Sequence, residues 1–191
     1  MRINTFKVGA LMSVAKQTIY FKDPGPKNTD TVLDCVLRRV KEGDVKTVVV
    51  ASTSGETGVK FAKALKGLCN VIVVSHEEMK QEHKEEILRL GGKPLDKTHL
   101  PLHARGMDAV RNSFYTLGQG FKVCVEIILI ASDLGELNPG EDVIAAAGTG
   151  RGSDTAIVAR ACKTSDMFSG DKSKRLEIRE ILAMPLRKMW W

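Results

Sequence analysis

Thr47-Val48-Val49-Val50-Ala51-Ser52-Thr53-Ser54-Gly55-Glu56-Thr57-Gly58 passes from an apolar run into a hydroxyl-rich loop and then into a helical pattern. The apolar run fits a strand buried on both faces of a parallel sheet. A strand that ends in Ser, Thr and Gly before a helix offers free backbone N–H groups, hydroxyl donors and the positive end of a helix dipole. That combination suits an anion, most often a phosphate. Ser52, Thr53, Ser54, Gly55, Glu56 and Thr57 are therefore candidate phosphate-binding residues. A second reading makes the loop a polar turn whose hydroxyls cap the helix, and the local context leaves both open. No G-x-x-x-x-G-K-[ST] motif occurs in the chain, which argues against a nucleoside-triphosphate kinase of the P-loop kind.

Outward from this stretch, strand and helix patterns alternate. On the N-terminal side, Thr18-Ile19-Tyr20-Phe21 is a short β-type run closed by Asp23-Pro24-Gly25-Pro26. Val32, Leu33, Val36, Leu37 and Val40 then mark one helical face, capped by Asn28 or Thr29 and stopped at Gly43. On the C-terminal side, Val59, Phe61, Ala62 and Leu65 continue a second helix to Gly67. Residues 70–75 form another buried strand. Ser75 and Glu78 have the spacing of a capping box, predicting a charged helix over 77–90. A short strand at 93–95 and a helix through Met107, Val110, Phe114 and Leu117 follow. Residues 121–134 are apolar enough for a strand or a buried helix; their length and Gly135 favour the helix. Residues 143–147, 155–161 and 177–184 complete the strands. The alternation predicts a three-layer α/β/α sandwich around a mostly parallel sheet.

A second loop, Gly148-Thr149-Gly150-Arg151-Gly152-Ser153-Asp154-Thr155, also follows an apolar strand. Its spaced glycines allow close approach of backbone to a ligand, and Arg151 can pair with phosphate or stack on a ring. It does not fit G-x-G-x-x-G, and a strand rather than a helix follows it. Loops at the carboxyl ends of parallel strands gather on one edge, so the two loops are expected to face one pocket. Glu126 stands among Val123, Val125, Ile127 and Ile128. If buried it needs a partner, either a ligand donor or a structural cation. Asp133, two helical turns on, is expected on a similar face. His76 follows a strand and is a candidate for the same edge, and His76 and His83 could share a helical face. No metal-ligand spacing occurs.

The 191 residues are 43% hydrophobic and 27% charged, as in an ordinary soluble domain. The net charge of +6 is spread along the chain and aromatics make up only 5%, so a nucleic-acid partner is not expected. No apolar run reaches membrane-spanning length, and no membrane partner is expected. Cys35, Cys69, Cys124 and Cys162 read as small core residues of a cytoplasmic protein. Residues 1–16 read as an N-terminal extension, 17–188 as one domain and 189–191 as a tail. The Trp190-Trp191 end is a candidate contact for a homo-oligomer.

The two loops together resemble the effector site of the pyruvate kinase C-terminal domain, which binds a sugar phosphate. The chain resembles more closely a small, mostly archaeal family of stand-alone proteins with that fold. Tyr20-Phe21-x-x-Pro24-Gly25-x-x-Asn28-Thr29, Val49-Val50-Ala51-Ser52-x-Ser54-Gly55-Glu56-Thr57 and Gly120-Phe121-Lys122-Val123-Cys124-Val125-Glu126-Ile127 carry the likeness. Gly148, Gly152-x-Asp154-Thr155-Ala156 and Ile181-x-Ala183-Met184-Pro185 follow in order, so the likeness runs over residues 17–188. The resemblance implies a sheet with one antiparallel edge strand. It also implies flavin mononucleotide (FMN) as the ligand, its phosphate in the first loop and its ring near the second. Gly148, Gly150, Arg151, Gly152, Asp154 and Thr155, with Glu126, His76 and Asn28, are the implied cofactor-binding set.

Two departures stand out. An insertion with a His-Gly-Phe-type motif after the third strand is missing at Ser75-His76, and Leu100-Pro101-Leu102 replaces a longer Ser-Gly-containing segment. If those insertions wall the ring pocket in the relatives, their loss bears on flavin binding and leaves the phosphate loop unaffected. No reaction is implied, and pyruvate kinase activity is not expected. The alternatives are a flavin-dependent oxidoreductase drawing on Glu126 or His76, and a regulatory or assembly module with an empty pocket.

Overall fold

Val48, Val49 and Val50 are fully buried on an interior strand of a seven-stranded sheet. The computed structural model describes residues 5–8 and 11–190. Residues 1–4, 9 and 10 of the expected N-terminal extension, and Trp191 of the expected tail, lie outside the described residues.

The strands are β3 (Ile19–Phe21), β4 (Thr47–Ala51), β5 (Asn70–Val74), β6 (Lys93–Leu95), β7 (Asp142–Ala147), β8 (Thr155–Arg160) and β9 (Glu177–Pro185). Their order is β3-β9-β8-β7-β4-β5-β6. All pairs are parallel except those of β8, which runs against both β7 and β9. The antiparallel strand therefore lies inside the sheet, with β9 and β3 continuing to the margin beyond it. A short connection can join β7 to β8 only as an antiparallel pair; each parallel neighbour needs a longer crossover.

Side-chain alternation divides the strands between two cores. Val48, Val50, Val71, Val73, Ile144 and Ala146 face α1 (Thr29–Val40), α2 (Glu56–Leu65) and α3 (Gln81–Arg89). Val49, Ile72, Val74, Val143, Ala145 and Ala147 face the layer of α4 (Asp108–Tyr115) and α5 (Gln119–Asp133). Both faces are covered, so the central strands are apolar at nearly every position. The ambiguous 121–134 segment is helix α5, buried almost all round because it lies along the middle of its layer. The alanines of β7 let it come close: the Cys124 thiol lies 3.5 Å from the Ala145 carbonyl oxygen.

Three local expectations are corrected. The charged helix begins at Gln81 rather than residue 77. The Ser75 hydroxyl accepts from the Glu77 amide at 3.1 Å, a local turn that replaces the capping box. Residues 75–80 therefore form a loop, tied to Asp96 through the Met79 amide at 3.2 Å. His76 and His83 consequently share no helix. A 3₁₀ turn, Pro26–Asn28, precedes α1, and the Asn28 side chain donates to the Asp23 carbonyl at 2.9 Å instead of capping α1.

Within the N-terminal segment, β1 (Thr5–Val8) and β2 (Leu11–Val14) pair with each other in a separate two-stranded sheet. Lys16 ties the following chain to the domain through Glu42 at 3.0 Å and Glu180 at 2.8 Å. Among the described residues, no helix is long and apolar enough to cross a membrane.

Candidate functional site

The loops after β4, β5 and β7 meet at the carboxyl ends of these strands, the edge where open α/β sheets place ligands. With α5 they enclose a cleft of about 1040 Å³. From the first loop, Ser52, Thr53, Ser54, Glu56 and Thr57 line it; from the second, Gly148, Gly150, Arg151 and Gly152. His76 and Glu126 also reach it. Gly55, Asn28, Asp154 and Thr155 do not line it.

The first loop takes its shape from α3. Gly55 adopts φ +92, and a Cβ there would stand 2.5 Å from Cβ of His83. The His83 Nδ1–H donates to the Ser54 carbonyl at 2.7 Å, and the Lys80 amide donates to the same oxygen at 3.2 Å. The turn is closed by the Gly55 amide on the Ser52 carbonyl at 3.3 Å, and α2 begins with the Val59 amide on the Gly55 carbonyl at 2.9 Å. The first-turn amides of a helix lack intrahelical partners. Among the described residues, those of Thr57 and Gly58 have no other.

The second loop is held from beneath. Asp154 is fully buried, and its carboxylate accepts from the Thr149 amide at 2.9 Å, the Gly25 amide at 3.0 Å and the Thr155 hydroxyl at 2.9 Å. The Thr29 hydroxyl accepts from the Ser153 amide at 3.0 Å and donates to the Pro26 carbonyl at 2.6 Å. Asp154, Thr155 and Asn28 are thus placed as braces of the loop and the turn behind it. The Asp154 carboxylate, the Thr155 hydroxyl and the Asn28 side-chain N–H are engaged inside the fold. Arg151 is exposed and makes no ion pair among the described residues.

Glu126 is 3% exposed and finds a cation: Lys122, one helical turn earlier, donates to its Oε2 at 2.5 Å. Its Oε1 accepts from the Leu102 amide at 3.2 Å. Lys122 also donates to His103 Nε2 at 2.8 Å, and its ammonium lies 5.8 Å from the centre of the Tyr115 ring. Burial, together with the Lys122 charge, pushes the His103 pKa below its ordinary value. Gln119, Lys122, His103 and Tyr115 all line the cleft, and none was singled out for it from sequence. The available signal was the i, i+4 Lys–Glu spacing inside an apolar helix. Asp133 is not part of this group. It binds the Thr164 amide at 2.8 Å and His99 at 3.0 Å. Among the described residues, no cluster of His, Cys, Asp or Glu could hold a metal ion.

The sequence profile of the family described as pyruvate kinase, alpha/beta domain, matches residues 30–159. Among solved structures, the chain is similar to Cryptosporidium parvum pyruvate kinase in complex with ADP. The identity is 14% and the TM-score 0.41, over 73% of this chain and 25% of that one. The chain thus spans about a quarter of the length of that kinase. Because the profile runs through β4, both cleft loops and most of β8, and covers more than half of the sequence, this chain belongs to the pyruvate kinase alpha/beta domain family.

Proposed function

We propose that the protein binds a phosphorylated small molecule in the cleft between the 52–57 and 148–152 loops. The phosphate rests on the hydroxyls of Ser52, Thr53, Ser54 and Thr57 and on the first-turn amides of α2. The organic half extends toward Gly150, Arg151 and α5. The observation that carries this reading is that both loops, from different strands, line one cleft. Its volume of about 1040 Å³ matches the upper range of small-molecule sites. FMN is the proposed ligand of that size. Arg151 and Lys80 supply positive charge at the rim. Glu56, at the start of α2, opposes it in part, since a carboxylate there already answers the helix dipole.

Native mass spectrometry of the purified protein, followed by thermal-shift titration with FMN, fructose 1,6-bisphosphate and inorganic phosphate, tests the proposal. A retained phosphate compound, or a melting temperature raised by one of these and not by sodium chloride, is expected. Indifference to FMN alone removes the flavin; indifference to every phosphate compound removes the site.

A further inference from the structure

We infer that the α5 end of the cleft is a neutral hydrogen-bonding subsite that reads a donor and an acceptor side by side on the organic half of the ligand. The inference rests on the proposed phosphate site for the other half. Gln119 and Lys122 are three residues apart on α5, hence neighbours on one face, and both line the cleft. Gln119 Oε1 is buried and has no hydrogen-bond partner. An ammonium carries three N–H groups. Lys122 directs two of them to Glu126 and His103 and, among the described residues, gives the third to no oxygen or nitrogen. Neighbouring residues of α5 therefore carry one uncommitted acceptor and one uncommitted donor.

The surroundings define the chemistry further. Val123, Ile127 and Ile130 line the same end, and an apolar lining strengthens each hydrogen bond made there. Glu126 has both oxygens engaged, so it acts as a positioning residue that holds Lys122 and cancels its charge. His103 accepts through Nε2, which requires the uncharged ring. The subsite is consequently neutral and suits no second phosphate. It suits a group that presents N–H or O–H next to an oxygen acceptor. The lactam edge of a heterocycle and a vicinal diol of a sugar share that pattern.

Isothermal titration of the full chain with FMN, ribose 5-phosphate, fructose 1,6-bisphosphate and inorganic phosphate tests this. Gln119→Met is expected to weaken binding of the preferred monoester about tenfold, the loss of one hydrogen bond, and to leave inorganic phosphate unchanged. A loss confined to FMN assigns the lactam; one confined to ribose 5-phosphate assigns the diol. The double variant Lys122→Met, Glu126→Met, which leaves no buried charge unpaired, should show the same selective loss. Wild-type affinities for every compound in a folded Gln119→Met protein, or tightest binding of the bisphosphate, would overturn the inference. If no phosphate compound binds the wild type, the phosphate reading fails, and NMR titration with riboflavin and ribose decides the subsite alone. Perturbation of the Gln119 side-chain amide upholds it, and none overturns it.

Discussion

The His83 Nδ1–H donates to the Ser54 carbonyl at 2.7 Å, so the helix after β5 sets the shape of the loop after β4. The same residue fills the space in front of Gly55, where a Cβ would come to 2.5 Å from the His83 Cβ. Gly55→Ala therefore meets both a left-handed φ and a steric block. It is expected to destabilise the protein by about 1–3 kcal/mol, read as a lower urea midpoint at unchanged slope. Adding His83→Ala should recover little, because alanine keeps the Cβ that makes the closest contact and the left-handed φ remains.

Lys122 and Glu126 form a buried pair that tolerates replacement of both partners better than of one. Lys122→Met leaves the carboxylate unpaired and should cost about 3–5 kcal/mol in chemical denaturation. The double variant Lys122→Met, Glu126→Met should regain most of that. Equal losses in the single and double variants would refute the pairing as the cause.

Asp154 gathers three donors beneath the glycine-rich loop. Asp154→Ala should cost about 1–3 kcal/mol for the buried donors left unsatisfied. Hydrogen exchange should locate the loss at the amides of Gly25 and Thr149, with little change at β4.

Glu56 faces any anion held at the start of α2. Removing its charge in Glu56→Gln should tighten binding of inorganic phosphate about two- to fivefold at low ionic strength, by analogy with other charges near helix ends. The gain should shrink as salt is raised.

Two titrations contribute distinct steps to the acid limb of stability. Burial and Lys122 hold the His103 pKa below its ordinary 6.5, so the unfolded chain takes up this proton first. Stability should fall as the pH drops below 6.5 and level off beneath the folded-state value. His103→Gln should flatten that region of a melting-temperature profile. Asp44 is held at about 2, from 3.8, chiefly by its hydrogen bond with Arg39. Its contribution is complete above 3.8 and is lost as the pH falls toward 2. Asp44→Asn should remove that lower step.

The alternation of apolar runs and helical faces placed the central strands and the helices other than the start of α3, because those strands bury both faces and the outer helices one. Thr47–Ala51 and Asn70–Val74 read directly as buried strands for that reason. Ser75 misled, because its hydroxyl closed a local turn with Glu77 and left α3 to begin six residues later, at Gln81. Asp154 read as a ligand residue, since a carboxylate in a glycine-rich loop looks the same in sequence whether it faces a cleft or the core. Only the packing of residues 25–29 against that loop turned it inward.

Sequence alone determined the sandwich and the two loops at the strand ends, because backbone pairing and the period of apolar side chains are local properties. Tertiary structure decided what those loops face. The meeting of Gln119, Lys122 and His103 at the floor of the cleft depends on α5 lying against β7 while the segment around Pro101–His103 folds over it. Contacts between residues far apart in the chain depend on where whole elements pack, and no spacing within a single element encodes them.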